Sequence, residues 1–427
     1  MPPPLSWTDL RGRTVGVWGL GLEGHANVAK LRTLGVEPLV VADERALAEG
    51  GLESLMACAV VVKSPGISRY RAEARALVDQ GVALVGGLGL WLQRAPLDRV
   101  VVITGTKGKS TTTAILGHLL DRLGHRCFVG GNIGRVPYAA DVDEAQYDYW
   151  ALEVSSYQAT DLAVSPPVVA VTSLHPDHLP WHGGEVEQYY RDKLSVCTQP
   201  GAAWTVANAM SPTLEAHAVL LGPQVRWVPD ERSPSLDWAD ELGLVGEHNR
   251  INAEIARATI EQLGIDLVRD PKALRTAARG FVPLPSRLTR IGTVRGVEFV
   301  DDSLSTNVLP TLAAVDAFEG RRIALIVGGE DRGIDYEPLA AGLAHRGDQL
   351  IVLTVPDSGA RIADVIGSRA DVRRCADLID AVRRGFEWAH PDGVVLLSPA
   401  APSFGRFHDY RDRADAFAAA MRACETD

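Results

Sequence analysis

The stretch Val100-Val-Val-Ile-Thr-Gly105-Thr-Lys-Gly108-Lys109-Ser110-Thr111 decides the fold class of this chain. Four β-formers run into a loop with two glycines, and Thr112 to Leu120 then has the spacing of an amphipathic helix. Strand, glycine loop and helix in this order are the context of a phosphate-binding loop, because backbone N–H groups and the helix dipole point at one anion. Only two residues separate the glycines, so the loop is tighter than the common Walker loop. A chance glycine turn is the alternative.

The residues of this loop indicate a nucleotide phosphate as the ligand. Lys109 would reach the terminal phosphates, and the Ser110 hydroxyl would lie on Mg²⁺. The predicted nucleotide contacts in this segment are Gly105, Thr106, Lys107, Gly108, Lys109, Ser110 and Thr111.

The composition limits the class of protein. A length of 427 residues is too great for one hydrophobic core, so two or three domains are expected. The net charge of −11 argues against a general surface for nucleic acid or acidic membranes. Five scattered cysteines without a C-x-x-C pair are typical of reduced thiols in a cytoplasmic protein. We expect no membrane insertion, because no apolar run approaches the roughly 18 residues that a span requires.

Strand and helix patterns alternate along the chain and predict an α/β fold of three domains. Residues 1–96 are expected to form a Rossmann-like domain, and residues 97–288 a central ATP-binding domain with a mainly parallel sheet. A proline-punctuated break at Pro283-Leu-Pro285 precedes a second Rossmann-like domain at residues 289–427. The predicted strands are Thr14–Trp18, Val36–Val41, Ala59–Val62, Val100–Ile103, Tyr149–Val154, Val168–Thr172, Gly296–Val300, Arg322–Val327, Gln349–Leu353 and Gly393–Leu397.

A glycine fingerprint, Gly19-x-Gly21-x-x-Gly24, follows the first predicted strand, and Asp43 lies at the end of the second. Glycines in this spacing with an acidic residue at a later strand end are typical of nucleotide binding. A single fingerprint is weak evidence, so NAD, another nucleotide and simple tight turning all remain open.

Polar residues follow two central strands. Glu153 ends one strand and precedes Ser155 and Gln158, and His175-Pro-Asp177-His178 follows the next strand. Because the carboxyl ends of parallel strands share one sheet edge, both groups are expected beside the phosphate loop. We expect a Mg²⁺ site there, although the histidines alone would suit a transition metal. A helix-capping cluster at Glu153 and a packed loop at His178 are the alternatives.

Other polar residues are ambiguous on their own. Lys193 lies on a predicted helix, where a lysine is usually a solvated charge. The stretch His248-Asn249-x-x-Asn252 indicates a helix start whose amides would cap the helix or contact a base or ribose. Three loops after strands of the third sheet suggest a substrate face, with ordinary turns as the alternative: Asp302–Asn307, Gly328–Gly333 and Ser398–Phe404.

Taken in order, these motifs resemble the Mur ligases, cytoplasmic ATP-dependent enzymes that form amide bonds in peptidoglycan precursor synthesis. The similarity covers nearly the whole chain, and the ordered set is far more specific than any single motif. It implies ATP and Mg²⁺ as cofactors, and UDP-N-acetylmuramoyl-L-alanine and glutamate as substrates. The matching elements are G-T-x-G-K-S-T, Gly130-Gly-Asn132-Ile-Gly134, Glu153-x-Ser-Ser, Asp177-His178, Lys193, His248-Asn249-x-x-Asn252, Ser286-Arg287-Leu, Asp302-Ser303 and Ser398-Pro-Ala.

The resemblance implies catalytic roles for four residues, which are Lys109, His178, Lys193 and Arg287. Lys193 follows His178 by 15 positions, as the carbamylated lysine does in the family, so a CO₂ adduct would make it a carboxylate-like ligand. Arg287 would approach the γ-phosphate, and Lys109 would neutralise charge during phosphoryl transfer. The implied Mg²⁺ ligands are Ser110, Glu153, His178 and Lys193.

The remaining implied roles concern the nucleotide and the substrates. On this resemblance the first domain binds uridine diphosphate, so its glycine fingerprint need not mean NAD. The implied contacts are Gly21 and Asp43 for uridine diphosphate, Asn132, Ser155 and Gln158 for the muramoyl substrate, Asn249, Asn252 and Asp302 for adenosine, and Thr306, Arg332, Ser403, Phe404 and Tyr410 for glutamate.

Two positions depart from the usual family pattern. Leu304 stands where members that add D-glutamate have a lysine, and Arg332 replaces a second lysine. The planar fork of arginine holds carboxylates differently from an ammonium group. Together with Lys107 and Trp181-His-Gly183, these changes resemble a branch that adds L-glutamate. D-glutamate remains the alternative.

Other functions stay open at this level. They are a nucleotide-binding regulator without turnover, a folate-type polyglutamate ligase, and a dehydrogenase that would rest on Gly19–Gly24 alone. The intact Lys109, Glu153 and Lys193 argue against the first, and the N-terminal Rossmann-like domain argues against the second. A monomer is expected, although the sequence does not specify the oligomeric state.

Overall fold

A computed structural model describes residues 3–425, which contain three β-sheets. By their contacts these residues form two units. The first unit comprises the described residues up to Glu241 together with Ile251–Phe281, and the second comprises Leu242–Arg250 with the described residues from Val282 onward.

The first sheet belongs to the first unit and is wholly parallel. One predicted strand is partly wrong, because regular pairing begins at Val40 and not at Val36. Pro38 lies between them and has no N–H group to donate to a neighbouring strand. The elements are β1 (Val15–Trp18), α1 (Leu22–Thr33), β2 (Val40–Ala42), α2 (Glu44–Ala46), α3 (Leu52–Met56), β3 (Val60–Lys63), α4 (Ala72–Asp79), β4 (Ala83–Gly86) and α5 (Gly87–Leu92), with the strand order β2-β1-β3-β4.

The second sheet has six parallel strands and carries the phosphate loop. The helix after the loop begins at Lys109, three residues before the predicted Thr112. The elements are β5 (Val100–Thr104), α6 (Lys109–Arg122), β6 (Cys127–Gly131), β7 (Tyr149–Glu153), α7 (Ser156–Ala159), β8 (Val168–Val171), α8 (Val186–Leu194), β9 (Trp204–Asn208), α9 (Pro212–Ala216), β10 (Val225–Val228), α10 (Glu247–Gln262) and α11 (Pro271–Ala278).

The strand order of the second sheet, β10-β9-β8-β5-β7-β6, has a direct consequence for the site. Strand β5 lies between β7 and β8, so the loop that follows β5 is flanked by the ends of both neighbours. All five residues of β5 are buried, as expected for a parallel strand covered on both faces.

The third sheet belongs to the second unit and is parallel except for β11, which pairs antiparallel with β12. Together the three sheets confirm the predicted α/β fold class, while the boundaries at residues 96 and 288 stay predictions. The elements are β11 (Thr289–Val294), β12 (Val297–Asp301), α12 (Val308–Asp316), β13 (Ile323–Val327), α13 (Glu337–Leu343), β14 (Leu350–Thr354), α14 (Ser358–Ile366), β15 (Asp371–Arg374), α15 (Leu378–Ala389), β16 (Val394–Leu397) and α16 (Tyr410–Ala423), in the strand order β11-β12-β16-β13-β14-β15.

Within residues 3–425, no helix is both long and apolar enough to cross a membrane.

A buried ion pair ties the first sheet to the segment that follows α7. At the end of β3, Lys63 is fully buried and its Nζ lies 2.6 Å from Oδ2 of Asp161. Arg69 Nε lies 2.5 Å from the other oxygen of the same carboxylate. Burial lowers the pKa of Lys63, against the opposing attraction of Asp161. The cost of burying this ammonium is therefore offset mainly by one carboxylate.

We predict that Asp161→Ala lowers the free energy of unfolding by about 3–5 kcal/mol, because Lys63 would stay buried without its carboxylate. The measurement is denaturant unfolding of the whole chain. The matched control is Glu37→Ala, which breaks an exposed pair with Arg32 and should cost less than about 1 kcal/mol. Equal losses in the two variants would contradict this account.

Candidate nucleotide and substrate site

The phosphate loop adopts a backbone conformation that requires glycine. Gly105 and Gly108 have φ angles of 138° and 87°, in the region that L side chains rarely adopt. Gly108 is the N-cap of α6, so the loop leads directly into the N-terminal turn of that helix. A Cβ on Gly108 would lie 2.5 Å from Oδ1 of Asn252. The structure confirms the predicted strand, loop and helix, and it brings Asn252 against the loop.

Hydrogen bonds hold the loop in this shape. The N–H of Thr106 donates to the Ser173 carbonyl at 2.9 Å, and the N–H of Lys107 donates to Ser173 Oγ at 2.8 Å. The Thr106 hydroxyl bonds the Tyr189 hydroxyl at 2.9 Å. Lys109 Nζ donates to the carbonyl of Thr106 at 3.1 Å, which keeps its ammonium group over the loop. Thr111 lies in the first turn of α6.

Two of the predicted metal ligands meet beside the loop. Glu153, at the end of β7, is buried and accepts a short hydrogen bond from the Ser110 hydroxyl. Its other oxygen accepts from Asn132 Nδ2 at 2.7 Å. The Glu153 carboxylate thus joins the phosphate-loop helix to the turn after β6.

These groups fit Mg²⁺ only as part of a larger ligand set. A carboxylate and a hydroxyl are the hard oxygen ligands that Mg²⁺ prefers. In the part of the chain that the structure describes, no three His, Cys, Asp or Glu side chains cluster to hold a metal ion. Since Mg²⁺ is commonly held by one or two carboxylates together with substrate phosphates, Ser110 and Glu153 fit a metal that arrives with a nucleotide.

His178 lies on the neighbouring loop after β8. Its side chain is 55% exposed, with Nδ1 3.7 Å from the Asp177 carboxylate and the ring 5.3 Å from that of Tyr157. Asp177 also accepts from Lys107 Nζ at 3.3 Å. Partial burial and the nearby Lys193 hold the pKa of His178 below its ordinary value, against the attraction of Asp177. The imidazole is therefore neutral near pH 7, and its approach to Glu153 stays a prediction.

Lys193 is buried, unlike the usual solvated lysine on a helix. Its Nζ donates to the carbonyl of Gly105 at 3.0 Å and lies 5.1 Å from the centre of the Tyr189 ring. Burial, followed by the charge of Lys109, holds the pKa of Lys193 well below its ordinary value. The lowered pKa favours the uncharged amine, which is the nucleophilic form of a lysine.

The polar residues after Glu153 cap a helix in this structure. Ser155 Oγ accepts from the N–H of Gln158 at 3.2 Å, and Gln158 Oε1 accepts from the N–H of Ser155 at 3.0 Å. Gln158 also donates to Glu23 at 2.6 Å. The capping alternative is therefore correct for Ser155 and Gln158, and their substrate contacts stay predictions.

The fingerprint residues of the first sheet lie at element ends. Gly21 is the N-cap of α1, and Asp43, directly after β2, accepts from the N–H of Ala46 at 2.8 Å. Both side-chain positions are exposed. Their contact with uridine diphosphate stays a prediction.

In the second unit, Asp302 organises the loops after β12 and β16. Its buried carboxylate accepts from the N–H of Leu288 at 3.0 Å, from Ser398 Oγ at 2.7 Å and, through a short bond, from Ser305 Oγ. Burial raises the pKa of Asp302 to about 7. Near the start of α10, Asn249 Nδ2 donates to the carbonyl of Val245 at 2.7 Å, and its contact with adenosine stays a prediction.

The residues predicted for glutamate are only partly brought together. Arg332 is half-exposed and donates to Glu330 at 2.7 Å, with its guanidinium 5.6 Å from the centre of the Phe404 ring. Ser403 and Phe404 line a cleft of about 250 Å³. Thr306 lies in the loop after β12, and Tyr410 is at the start of α16. Arg287 lies just before β11.

Arg413, on α16, was not among the predicted site residues. Its buried guanidinium donates to the carbonyls of Ser303 at 2.7 Å and Ala401 at 3.2 Å, and it lines the same cleft. Burial lowers the pKa of Arg413 to about 10. One available signal was its position on the apolar face of α16, one turn before the buried Phe417.

Sequence comparison shows that the chain resembles Mur ligases. It matches the Mur ligase middle domain over residues 103–226 and the Mur ligase, glutamate ligase domain over residues 286–401. It is 42% identical to a UDP-N-acetylmuramoyl-L-alanine--L-glutamate ligase of Micromonospora sp., across 97% of this chain and 98% of the relative. A protein of the same name from Xanthomonas euvesicatoria is 40% identical, across 96% of this chain and 95% of the relative.

Solved structures resemble this fold at low sequence identity. UDP-N-acetylmuramate-alanine ligase MurC of Thermotoga maritima aligns with a TM-score of 0.56 at 18% identity, across 96% of this chain and 99% of that one. A bifunctional folylpolyglutamate synthase/dihydrofolate synthase of Yersinia pestis, complexed with AMPPNP and Mn ion, aligns at 0.53 and 18% identity. It covers 76% of this chain and 89% of its own. These likenesses support the fold alone.

We predict that Gly108→Ala weakens ATP binding by about ten-fold or more, because the new Cβ would collide with Asn252 and displace the loop. The measurement is nucleotide titration by calorimetry. The matched control is Gly124→Ala, at the other end of α6, which has a φ of 93° but no atom within 4 Å of a Cβ. Both variants bear backbone strain, so similar binding in the two would contradict the collision account.

We predict a pH-dependent stability that originates at Asp302. Because the folded carboxyl holds its proton up to about pH 7, the folded state binds more protons than the unfolded state above about pH 4. The free energy of unfolding should therefore fall as the pH rises through this window, and Asp302→Asn should flatten the fall. Unfolding of both proteins from pH 4 to 8 measures it, with the exposed Asp348→Asn as control. An unchanged slope in Asp302→Asn would contradict the prediction.

Proposed function

Because this chain belongs to the Mur ligases, a family of ATP-dependent amide-bond-forming enzymes of peptidoglycan precursor synthesis, we propose that it joins L-glutamate to UDP-N-acetylmuramoyl-L-alanine. Family membership confirms the resemblance inferred from the order of the motifs, and the chain is a ligase. Two named L-glutamate ligases that match over more than nine-tenths of the chain support the choice of substrates.

One set of contacts carries the proposal. Ser110 and Asn132 both donate to the buried Glu153 carboxylate, at the edge of the phosphate loop. The same loop receives the buried amine of Lys193 at Gly105. A phosphate-binding loop, a buried carboxylate and a buried lysine amine at one sheet edge suit a reaction that moves a phosphoryl group with a divalent metal.

The proposed reaction has two steps. First, the γ-phosphoryl group of ATP passes to the alanine carboxylate, which gives ADP and an acyl phosphate, while Lys109 neutralises the transferred charge. Then the amine of glutamate attacks the acyl carbon, a tetrahedral intermediate forms, and inorganic phosphate leaves with an amide bond in place. Arg287 is the proposed γ-phosphate contact. As the alternative to a place beside Mg²⁺, neutral His178 can accept a proton from the glutamate amine.

Mg²⁺ is the proposed metal, and it would lower the charge barrier to phosphoryl transfer. The residues that would hold this metal are Ser110, Glu153, His178 and Lys193. An uncharged Lys193 amine can add CO₂ and release a proton, which converts it into a carbamate with carboxylate-like oxygens. The low pKa of Lys193 favours that adduct, because only the uncharged amine reacts.

The choice of L-glutamate over D-glutamate rests on the relatives and on two side chains. Leu304 supplies no cation where D-glutamate enzymes of the family have lysine. The exposed pair of Arg332 with Glu330 contributes little stability, so the guanidinium is available to a substrate carboxylate. A cytoplasmic location is part of the proposal, and it is supported by five cysteines that are all free and buried. A monomer stays a prediction.

We predict that ADP is released only when ATP, Mg²⁺, UDP-N-acetylmuramoyl-L-alanine and L-glutamate are all present. A coupled assay of ADP, with the amide product identified by mass spectrometry, measures this. Four reactions that each lack one component are the controls. Equal rates with D-glutamate and L-glutamate would contradict the proposed choice of L-glutamate. ATP binding without any amide product would favour a non-catalytic regulator.

A further inference from the structure

A buried set of Asp, His and Ser side chains lies in the first unit, and the proposed reaction does not use it. His182 Nδ1 lies 2.6 Å from Asp192 Oδ2, and His182 Nε2 lies 3.0 Å from Ser156 Oγ. Since a carboxylate only accepts, Nδ1 carries the proton that is donated to Asp192. The second contact, between Nε2 and Ser156 Oγ, joins the same ring to the first residue of α7.

The arrangement has the connectivity of a nucleophilic triad but not its accessibility. In such a triad the serine oxygen attacks a substrate carbonyl, so it must be reachable from a cleft. Here Ser156 is 2% exposed and His182 is fully buried. No acyl substrate reaches this hydroxyl, so a positional role is the one that the geometry permits.

The carboxylate of Asp192 is held in place by several hydrogen bonds. Its carboxylate accepts from the Tyr70 hydroxyl at 2.8 Å and from Gln188 Nε2 at 2.7 Å, in addition to His182. Three different donors satisfy both oxygens, which favours one orientation of the carboxylate. Lys193 is the next residue along α8.

His182 contacts two of the elements that carry the proposed ligands and is linked to the third, the phosphate loop, through Tyr189. Ser156 lies three residues after Glu153, and Asp192 directly precedes Lys193. The edge of the His182 ring packs on Tyr189, with 5.1 Å between ring centres. Tyr189 in turn bonds Thr106 in the phosphate loop. One imidazole therefore bridges the turn after β7 and helix α8, and packs on the residue that supports the loop.

We propose that His182 is a positioning residue that sets the separation between Glu153 and Lys193 and thereby the geometry in which the divalent metal is held. The identity of the reaction rests on the proposed function, whereas the positioning claim rests on contacts within this unit. His182 touches neither substrate nor metal, so it acts through Ser156 and Asp192.

Two substitutions separate the two hydrogen bonds of the ring. His182→Asn keeps a donor near Asp192 but cannot reach Ser156, and His182→Gln places an amide near Ser156 but withdraws from Asp192. For both we expect kcat to fall about ten- to a hundred-fold, because small displacements of catalytic groups have effects of this size. The KM for the UDP-linked substrate should change less than about two-fold, since that contact is not altered. The Mg²⁺ concentration for half-maximal rate should rise.

The experiment measures kcat, KM and Mg²⁺ dependence, together with calorimetric binding of ATP with and without Mg²⁺, which needs no turnover. The matched control is His217→Asn, a histidine that packs on Tyr190 of the same helix and bonds the Thr213 carbonyl. Ser156→Ala completes a double-mutant cycle with His182→Asn. If the ring acts through Ser156, the double variant should be no worse than His182→Asn alone.

Several outcomes would overturn the inference. One is a His182→Asn protein that is less stable but keeps the wild-type kcat and Mg²⁺ dependence, since the residue would then be merely structural. If that variant does not fold, an unchanged Mg²⁺ dependence in Ser156→Ala overturns the inference equally. A wild-type protein that ligates no glutamate would refute the proposed function only, because the Mg²⁺-dependent binding of ATP still tests the positioning of Glu153 and Lys193.

Discussion

The pairing of β5 between β7 and β8 is the constraint on which the candidate site depends. Its register places Ile103 opposite Glu153, and Thr104 opposite Val171. The phosphate loop therefore leaves the sheet with a carboxylate on one side and the His178 loop on the other. In a parallel sheet the carboxyl ends of all three strands lie at the same edge. Functional residues from three distant segments therefore lie close together there.

Burial of its charged groups gives this edge its electrostatic character. Lys193 loses its solvation inside the unit and also lies near Lys109, and both effects favour the uncharged amine. Glu153 stays buried because Ser110 and Asn132 donate to it. The same logic holds in the second unit, where the buried Asp302 keeps its proton to about pH 7 while hydroxyl and N–H groups surround it. Such groups are tuned by their surroundings more than by their residue type.

Helix α8 shows how a structural element can couple several functions. Tyr189, Asp192 and Lys193 share one face of the helix because they lie three and four positions apart. Tyr189 supports the phosphate loop, Lys193 reaches the Gly105 carbonyl, and Asp192 anchors His182. A displacement of this helix would move all three contacts at once.

The sequence by itself determined the α/β class, the phosphate loop and the family, because strand-loop-helix order, glycine spacing and motif order are local properties of the chain. It located nine strands to within a residue and began β2 too early, at Val36, where Pro38 prevents pairing. It did not predict β4, β6, β9, β10, β11 or β15. Only the tertiary structure decided that Lys193 is buried and that His182 joins Asp192 to Ser156. These facts depend on which distant segments exclude water from one another, and no local pattern specifies that.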